Sequence, residues 1–99
     1  MLLTMSLDSL PSDRQRLDKW LFFARILKSR EKAASLIKDG YVRVNGVRAD
    51  APAKQVKSGD VLTIALERQT LVLKIKGAGL RRGPASEAVN LYEDETLQL

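Results

Sequence analysis

The chain has 99 residues, 44% of them apolar, which suffices for one small domain and leaves no room for a separate catalytic domain. It contains no cysteine and no histidine, which excludes disulfides, thiolate metal sites and imidazole proton relays. The net charge of +5 is concentrated in residues 14–57, where 12 Lys or Arg stand against 4 acidic residues. We therefore expect a cationic surface for a polyanion, and neither a metal site nor a cofactor.

Residues 1–13 are predicted to form a flexible leader. They lack a basic segment followed by a continuous apolar core, so a signal peptide is not indicated. No apolar run approaches the roughly 20 residues that a membrane helix requires. We expect a cytoplasmic monomer that has no membrane partner.

The first predicted helix starts near Ser12, which fits an N-cap with Gln15 at the capping-box position. Asp18, Phe22 and Ile26 fall on the side of this helix that faces away from its apolar stripe. The stripe has helical spacing and consists of Leu17, Trp20, Leu21, Ala24 and Leu27.

The second predicted helix has a start signal and a stop signal. Ser29 fits its N-cap, and Gly40 supplies the left-handed residue that ends it. Between them, Ala33, Leu36 and Ile37 recur at helical spacing and predict an inward face. Both helices are therefore expected to pack on a common core.

Short strands are predicted next. Residues 41–44 alternate between apolar and polar side chains, and Asn45-Gly46 is a strong signal for a two-residue hairpin turn. Two further strands are predicted over 61–66 and 71–76. The pattern indicates a small, mostly antiparallel sheet.

Residues 77–99 are predicted to form a C-terminal segment outside the domain of residues 14–76. Glycine and proline interrupt the start of this segment. Ser86 then fits the cap of a short helix over 87–92. The acidic residues 93–95 are expected to be a mobile tail.

The segment from the first helix to residue 60 resembles the RNA-binding domain named after ribosomal protein S4. The positions that carry this resemblance are Arg16, Leu17, Asp18, Ser29, Arg30, Leu36, Ile37, Gly40, Val42, Val44, Asn45, Gly46, Val56, Gly59 and Asp60. Residues 81–88, with Leu91 and Tyr92, are similar to the stand-alone branch known as the heat shock protein 15 family. The resemblance implies an α+β fold of the alpha-L type, with two packed helices on the sheet plus a short C-terminal helix.

The resemblance also implies a function. Members of that family are ribosome-associated RNA-binding proteins, linked to large ribosomal subunits that carry a nascent chain on transfer RNA. We therefore expect non-catalytic binding of structured RNA, ribosomal RNA first and transfer RNA with it, in translation stress or ribosome rescue. The RNA-facing residues that it implies by position are Arg16, Lys19, Arg25, Lys28, Ser29, Arg30, Lys32, Lys38, Arg43, Asn45, Arg48 and Lys54.

Several of these residues also have a structural interpretation. Ser29 fits a helix cap, Arg30 could pair with Asp18, and Asn45 fits the hairpin turn. These interpretations compete with, or accompany, a contact to RNA.

The apolar residues Phe22 and Ile26 have two interpretations. They could form a stacking platform for an unpaired base, or the C-terminal segment with Val89 and Leu91 could cover them. We favour coverage. The adjacent pair of arginines at 81 and 82 could fix the C-terminal segment or extend the basic surface.

Three other classes of function compete with this one, and the chain is too short for the first of them. An RNA-modifying enzyme is one, because this domain type occurs fused to pseudouridine synthases, but their catalytic aspartate needs its own domain. A protein–protein adaptor using Phe22, Ile26 and the C-terminal tail is the second, and a DNA-binding protein is the third.

Overall fold

The computed structural model describes residues 14–96. The helices are α1 (Leu17–Phe23), α2 (Arg30–Lys38) and α3 (Ala85–Ala88), and a 3-10 turn follows α3 at Val89–Leu91. The strands are β1 (Gln15–Arg16), β2 (Val42–Val44), β3 (Val47–Arg48), β4 (Gln55–Val56), β5 (Val61–Ala65), β6 (Thr70–Ile75) and β7 (Tyr92–Asp94). None of the helices within this range is long and apolar enough to cross a membrane.

The strands form two sheets, and every pairing is antiparallel. Strands β1 and β4 make a two-stranded sheet, and the other five are ordered β3-β2-β5-β6-β7. The apolar core contains residues of α1, of α2 and of alternating positions on the larger sheet. The predicted α+β fold is confirmed.

Helix α1 begins later than predicted. Its first two backbone amides donate to the carbonyl oxygens of Lys54 and Pro52, at 2.8 and 3.1 Å, and no side chain of residues 14–96 caps it. Ser12, the predicted cap, lies outside the described residues. Gln15, predicted to complete a capping box, lies in β1, because the chain at this point is extended and pairs with β4.

Helix α1 also ends earlier than its apolar stripe predicts, because the chain leaves the helix after Phe23. Arg25 has a φ of 62°, a left-handed conformation that costs a non-glycine residue roughly 1–2 kcal/mol. The α1–α2 loop, residues 24–29, then leads to α2. Ser29 caps that helix by accepting from the amide of Lys32 at 3.0 Å, which confirms the predicted N-cap.

The predictions for the following hairpin are confirmed. Gly40 ends α2 with a φ of 90°, and Val42 and Val44 are buried on one face of β2. Asn45 and Gly46 have φ values of 52° and 83°, as a two-residue hairpin turn of type I′ requires.

The C-terminal segment folds back onto the larger sheet. Tyr92 pairs with Ile75, and Glu93 lies directly across from Lys74, so opposite charges face each other on β7 and β6. The amide of Glu95 donates to the carbonyl of Val72 at 2.7 Å. The prediction of a mobile tail at 93–95 is therefore wrong, because the edge of β6 offers partners that the local sequence does not reveal.

Helix α3 begins before its predicted start. Pro84 occupies its N-cap, and the carbonyl of Pro84 accepts from the amides of Glu87 and Ala88 at 2.9 and 3.0 Å. Ser86 lies inside the helix and does not cap it. Proline suits this position because its ring fixes φ before the first turn.

Candidate nucleic-acid interface

A buried carboxylate holds two arginines together at the junction of β1, α1 and α2. Arg16 donates to Asp18 through Nε and Nη2 at 3.1 and 3.0 Å, and the Nη2 of Arg30 lies 3.4 Å from the same carboxylate. Asp18 is only 4% exposed, so its predicted outward position is wrong, whereas the Arg30–Asp18 pairing is confirmed. The two arginine side chains remain 48% and 44% exposed. We call these three residues the Asp18 cluster.

The Asp18 cluster is ionised at neutral pH. Burial alone would raise the pKa of Asp18, but the hydrogen bond from Arg16 and the charges of Arg16 and Arg30 outweigh it and lower that pKa. The same hydrogen bond raises the pKa of Arg16. The carboxylate therefore orients two permanent cations without removing either from solvent.

The start of α2 continues this positive region. Lys28, Arg30 and Lys32 are all exposed around the N-cap at Ser29. Free backbone amides at a helix start favour anions, and the exposed carboxylate of Glu31 in the first turn partly opposes them. Three cations against one acid leave this helix end positive.

A groove of about 470 Å³ runs beside the β2–β3 hairpin. The hairpin groove, as we call it, has polar and apolar walls that consist of Arg14, Val44, Asn45, Val47, Arg48, Asp50, Lys54, Gln55, Val56, Lys57 and Asp60. Four of its residues are basic and two are acidic. Arg14 and Lys57 are absent from the sequence-based set. The β1–β4 pairing brings Arg14 to the hairpin groove. This position was missed in the sequence because a helix was predicted over residues 12–27.

Asn45 has a structural role in the hairpin groove. Its Nδ2 donates to Asp60 at 3.1 Å, and its Oδ1 accepts from the amide of Val61 at 2.9 Å. Burial would raise the pKa of Asp60, but the hydrogen bonds from Asn45 and the Lys57 amide outweigh it and lower that pKa. Asn45 thus fixes the turn, as its structural interpretation requires.

The remaining predicted residues have different surroundings. The Nη2 of Arg48 donates to the carbonyl of Lys38 at 3.3 Å, which ties the hairpin to the end of α2. Lys19 lies 5.4 Å from the ring centroid of Phe23. Arg43 lies across from Thr63 on the exposed face of the sheet. Arg25 donates to a carbonyl of the C-terminal segment, so it belongs to a different contact network.

The C-terminal segment covers Phe22 through Arg82, a residue that the sequence-based prediction did not include. The guanidinium carbon of Arg82 lies 4.7 Å from the centroid of the Phe22 ring. Val89 stays 52% exposed, and Ile26 packs against the core. Coverage is therefore confirmed for Phe22, while the covering residue is Arg82.

Three comparisons with known proteins agree with this architecture. Residues 15–62 match the family model described as S4 domain. Over 84 residues the chain is 39% identical to heat shock protein 15 of Escherichia coli K12, covering 85% of this chain and 62% of that relative. Over 82 residues it is 34% identical to the RQC P-site tRNA stabilizing factor of Listeria innocua, covering 81% of this chain and 88% of that protein.

The chain belongs to the heat shock protein 15 family of S4-domain proteins. The trimeric structure of Vibrio cholerae heat shock protein 15 matches with a TM-score of 0.80 at 33% identity, covering 87% of this chain and 88% of that one. The chain spans 62% of the length of the Escherichia coli family member. The monomeric state expected from the sequence stays a prediction.

Proposed function

We propose that this member of the heat shock protein 15 family binds structured RNA of the large ribosomal subunit, together with transfer RNA, in the cytoplasm. It does so without catalysing a reaction, and it acts in translation stress or ribosome rescue. The observation that carries the proposal is the Asp18 cluster, where a buried carboxylate orients two half-exposed guanidiniums at the junction of three elements. The names of two relatives, heat shock protein 15 and RQC P-site tRNA stabilizing factor, support the ribosomal context.

The arrangement of charge favours a folded RNA. Guanidinium groups match phosphate oxygens in a planar fork, and A-form RNA is recognised mainly through its shape and backbone. Cations around β1, at the start of α2 and in the hairpin groove fit such a surface better than one extended strand. The residues that we assign to phosphate contacts are Arg14, Arg16, Lys28, Arg30, Lys32, Arg48 and Lys54.

Sedimentation of tagged protein with lysate ribosomes tests the proposal. We expect the protein to migrate with large subunits at low salt and to be released at high salt, because phosphate contacts weaken as salt rises. Duplex DNA added in excess should not displace it. A protein that stays at the top of the gradient under both conditions would contradict ribosome binding.

A charge-matched pair of variants tests the site. Lys28→Ala combined with Arg30→Ala removes two cations at the start of α2, and we expect affinity for large subunits to fall by about tenfold or more. Arg68→Ala combined with Lys74→Ala removes two exposed cations of the β5–β6 hairpin, outside the cluster and the groove. Equal losses in the two double variants would show that net charge, and not this site, determines binding.

A further inference from the structure

The C-terminal segment is bound to β1 and α1 by side chains that are far away in sequence. The connector, defined as residues 77–84, has no regular secondary structure and bends at Leu80 and Arg81. The side-chain amide of Gln15 donates to the carbonyl of Gly79 at 2.9 Å and accepts from its amide at 3.0 Å. The indole Nε1 of Trp20 donates to the carbonyl of Gly77 at 3.0 Å. The first half of the connector is thus fixed to β1 at Gly79 and to α1 at Gly77.

The second half of the connector makes reciprocal contacts with the α1–α2 loop. From the loop, the Nη1 of Arg25 donates to the carbonyl of Gly83 at 2.9 Å. From the connector, the Nη2 of Arg82 donates to the carbonyl of Leu27 at 3.4 Å, and its guanidinium stacks over Phe22. Each segment therefore has one arginine that donates a hydrogen bond to a backbone carbonyl of the other segment.

Arg82 differs from an ordinary surface cation. Its Nε is enclosed and has no acceptor among residues 14–96, so part of the guanidinium has given up water. Stacking on the Phe22 ring and the hydrogen bond to the carbonyl of Leu27 compensate for the lost hydration. A flexible ammonium group lacks the planar face that stacks on the ring and the rigid fork that reaches the carbonyl at the same time.

The loop that Arg82 holds leads directly into the proposed RNA site. Within the loop, the amides of Arg25, Ile26 and Leu27 reach back to carbonyls at the end of α1. Lys28 comes next, and Arg30 begins α2. A contact at Leu27 therefore acts on the segment immediately before these two cations.

We infer that Arg82 is a positioning residue for RNA binding, which holds the α1–α2 loop so that Lys28 and Arg30 meet RNA in a fixed arrangement. The inference rests on the proposed function. Pre-arranged cations lose less conformational entropy when they bind phosphate, so affinity gains from a residue that touches no RNA. The connector thereby becomes part of the RNA-binding apparatus.

The neighbouring arginine provides a matched control. Arg81 carries the same charge one residue away, is 66% exposed and pairs with Glu87 at 2.9 Å. If Arg82 acted only through long-range charge, Arg81→Ala and Arg82→Ala would weaken binding equally. If Arg82 acts through the loop, only the second should have a large effect.

The test is a double-mutant cycle with purified large ribosomal subunits as the probe. We expect Arg82→Ala to weaken binding by about fivefold and Arg81→Ala by less than about twofold. In the Lys28→Ala/Arg30→Ala background, Arg82→Ala should cost less than about twofold, because the cations it positions are gone. A purely stabilising role would not produce this loss of effect.

Two outcomes would overturn the inference while wild-type binding persists. One is unchanged affinity of Arg82→Ala, and the other is an equal loss in both backgrounds, which would indicate direct contact with RNA. If the wild-type chain does not bind large subunits, the proposed function fails and the inference falls with it.

Further variants keep the test valid if Arg82→Ala does not fold, which circular dichroism would reveal. Arg82→Lys keeps the charge, and we expect it to remain about as weak as the alanine variant. Phe22→Leu removes the stacked ring without changing any charge, and it should reproduce the loss. Full affinity in both would contradict a role for the guanidinium stack.

Discussion

Asp18 shows how one residue can serve both folding and a binding surface. Two arginines from separate elements share its carboxylate, so the residue joins β1 to α2 and fixes the direction of both guanidiniums. Exposed ion pairs each contribute about 0–1 kcal/mol to the free energy of unfolding. Hydrogen bonds between a charged donor and a buried carboxylate contribute somewhat more. The helical pattern placed Asp18 on the outside of α1, because the spacing of apolar residues does not show that a carboxylate is paired, although the pairing with Arg30 was anticipated from the sequence.

Replacing Asp18 should change how stability depends on acid. The folded-state pKa of Asp18 is lowered, so its contribution is complete above the ordinary carboxyl pKa and is lost as pH falls through the folded value, below about pH 4. We expect Asp18→Asn to be about 1 kcal/mol less stable at neutral pH and to lose less stability on acidification. Urea unfolding at pH 7, 5, 4 and 3 measures this.

Asp60→Asn is the companion variant, because the pKa of Asp60 is also lowered in the fold. Asp60→Asn should remove a separate part of the pH dependence of stability, and the variant that combines Asp18→Asn with Asp60→Asn should remove both parts. An acid dependence of Asp18→Asn identical to that of the wild type would contradict the role given to this carboxylate.

At the scale of elements, the connector and α1 act as one packed unit. A Cβ on Gly79 would lie 2.8 Å from the Cβ of Phe23, closer than real Cβ atoms approach a neighbour, and 3.2 Å from the Cδ1 of Leu91, a tight contact. A Cβ on Gly77 would have nothing within 4 Å. The connector can therefore approach the helix at Gly79 only because that residue has no side chain.

We predict opposite behaviour for two alanine substitutions in this segment. Gly79→Ala should lower the free energy of unfolding by about 1–3 kcal/mol, because the new methyl group overpacks the contact with Phe23. Gly77→Ala should be neutral or stabilising by up to about 1 kcal/mol, because it restricts only the unfolded chain. Chemical denaturation of both variants decides this, and equal stabilities would contradict the close approach.

Elements that depend on near neighbours could be predicted from the sequence. The Ser29 cap, the end of α2 at Gly40, and the hairpin at Asn45-Gly46 each need only a few adjacent residues. The sequence patterns therefore located the second helix and the first hairpin within a residue or two.

Elements that depend on distant partners could not be predicted in the same way. The start of α1 is set by carbonyls at residues 52 and 54, its end by the left-handed Arg25, and β7 by the free edge of β6. The two errors in the predicted site have the same cause, which is a partner far away in the sequence. Arg14 was missed because a two-residue strand pairing carries it to the hairpin groove, and Arg25 turned toward the connector.

For the whole molecule, the distribution of charge matters more than its total. The net charge of +5 conceals a basic region over residues 14–57 and a slightly acidic remainder. Acidic residues of β7 lie at one edge of the larger sheet, while the hairpin groove lies beside β3 at its other edge. Such asymmetry orients an approaching polyanion before contact is made.

The salt dependence of binding should report this asymmetry. With seven phosphate contacts, the slope of log affinity against log salt should be about −6. Lys28→Ala/Arg30→Ala should reduce its magnitude by about 2, and Arg68→Ala/Lys74→Ala should leave it nearly unchanged. Titrations between about 50 and 200 mM salt would measure it. Equal slopes in all three proteins would rule out localised contacts.

The long-range bonds of the connector also fix an order of events during synthesis. The partners of Gln15 and Trp20 are separated from them by 64 and 57 residues, so this face of α1 emerges from a translating ribosome well before its cover. Contacts between distant parts of a chain form slowly, because a large loop must close first. Trp20 therefore stays without its final neighbours until nearly all of the described chain has been made. The mature arrangement of the α1–α2 loop is one of the last features that a newly made molecule acquires.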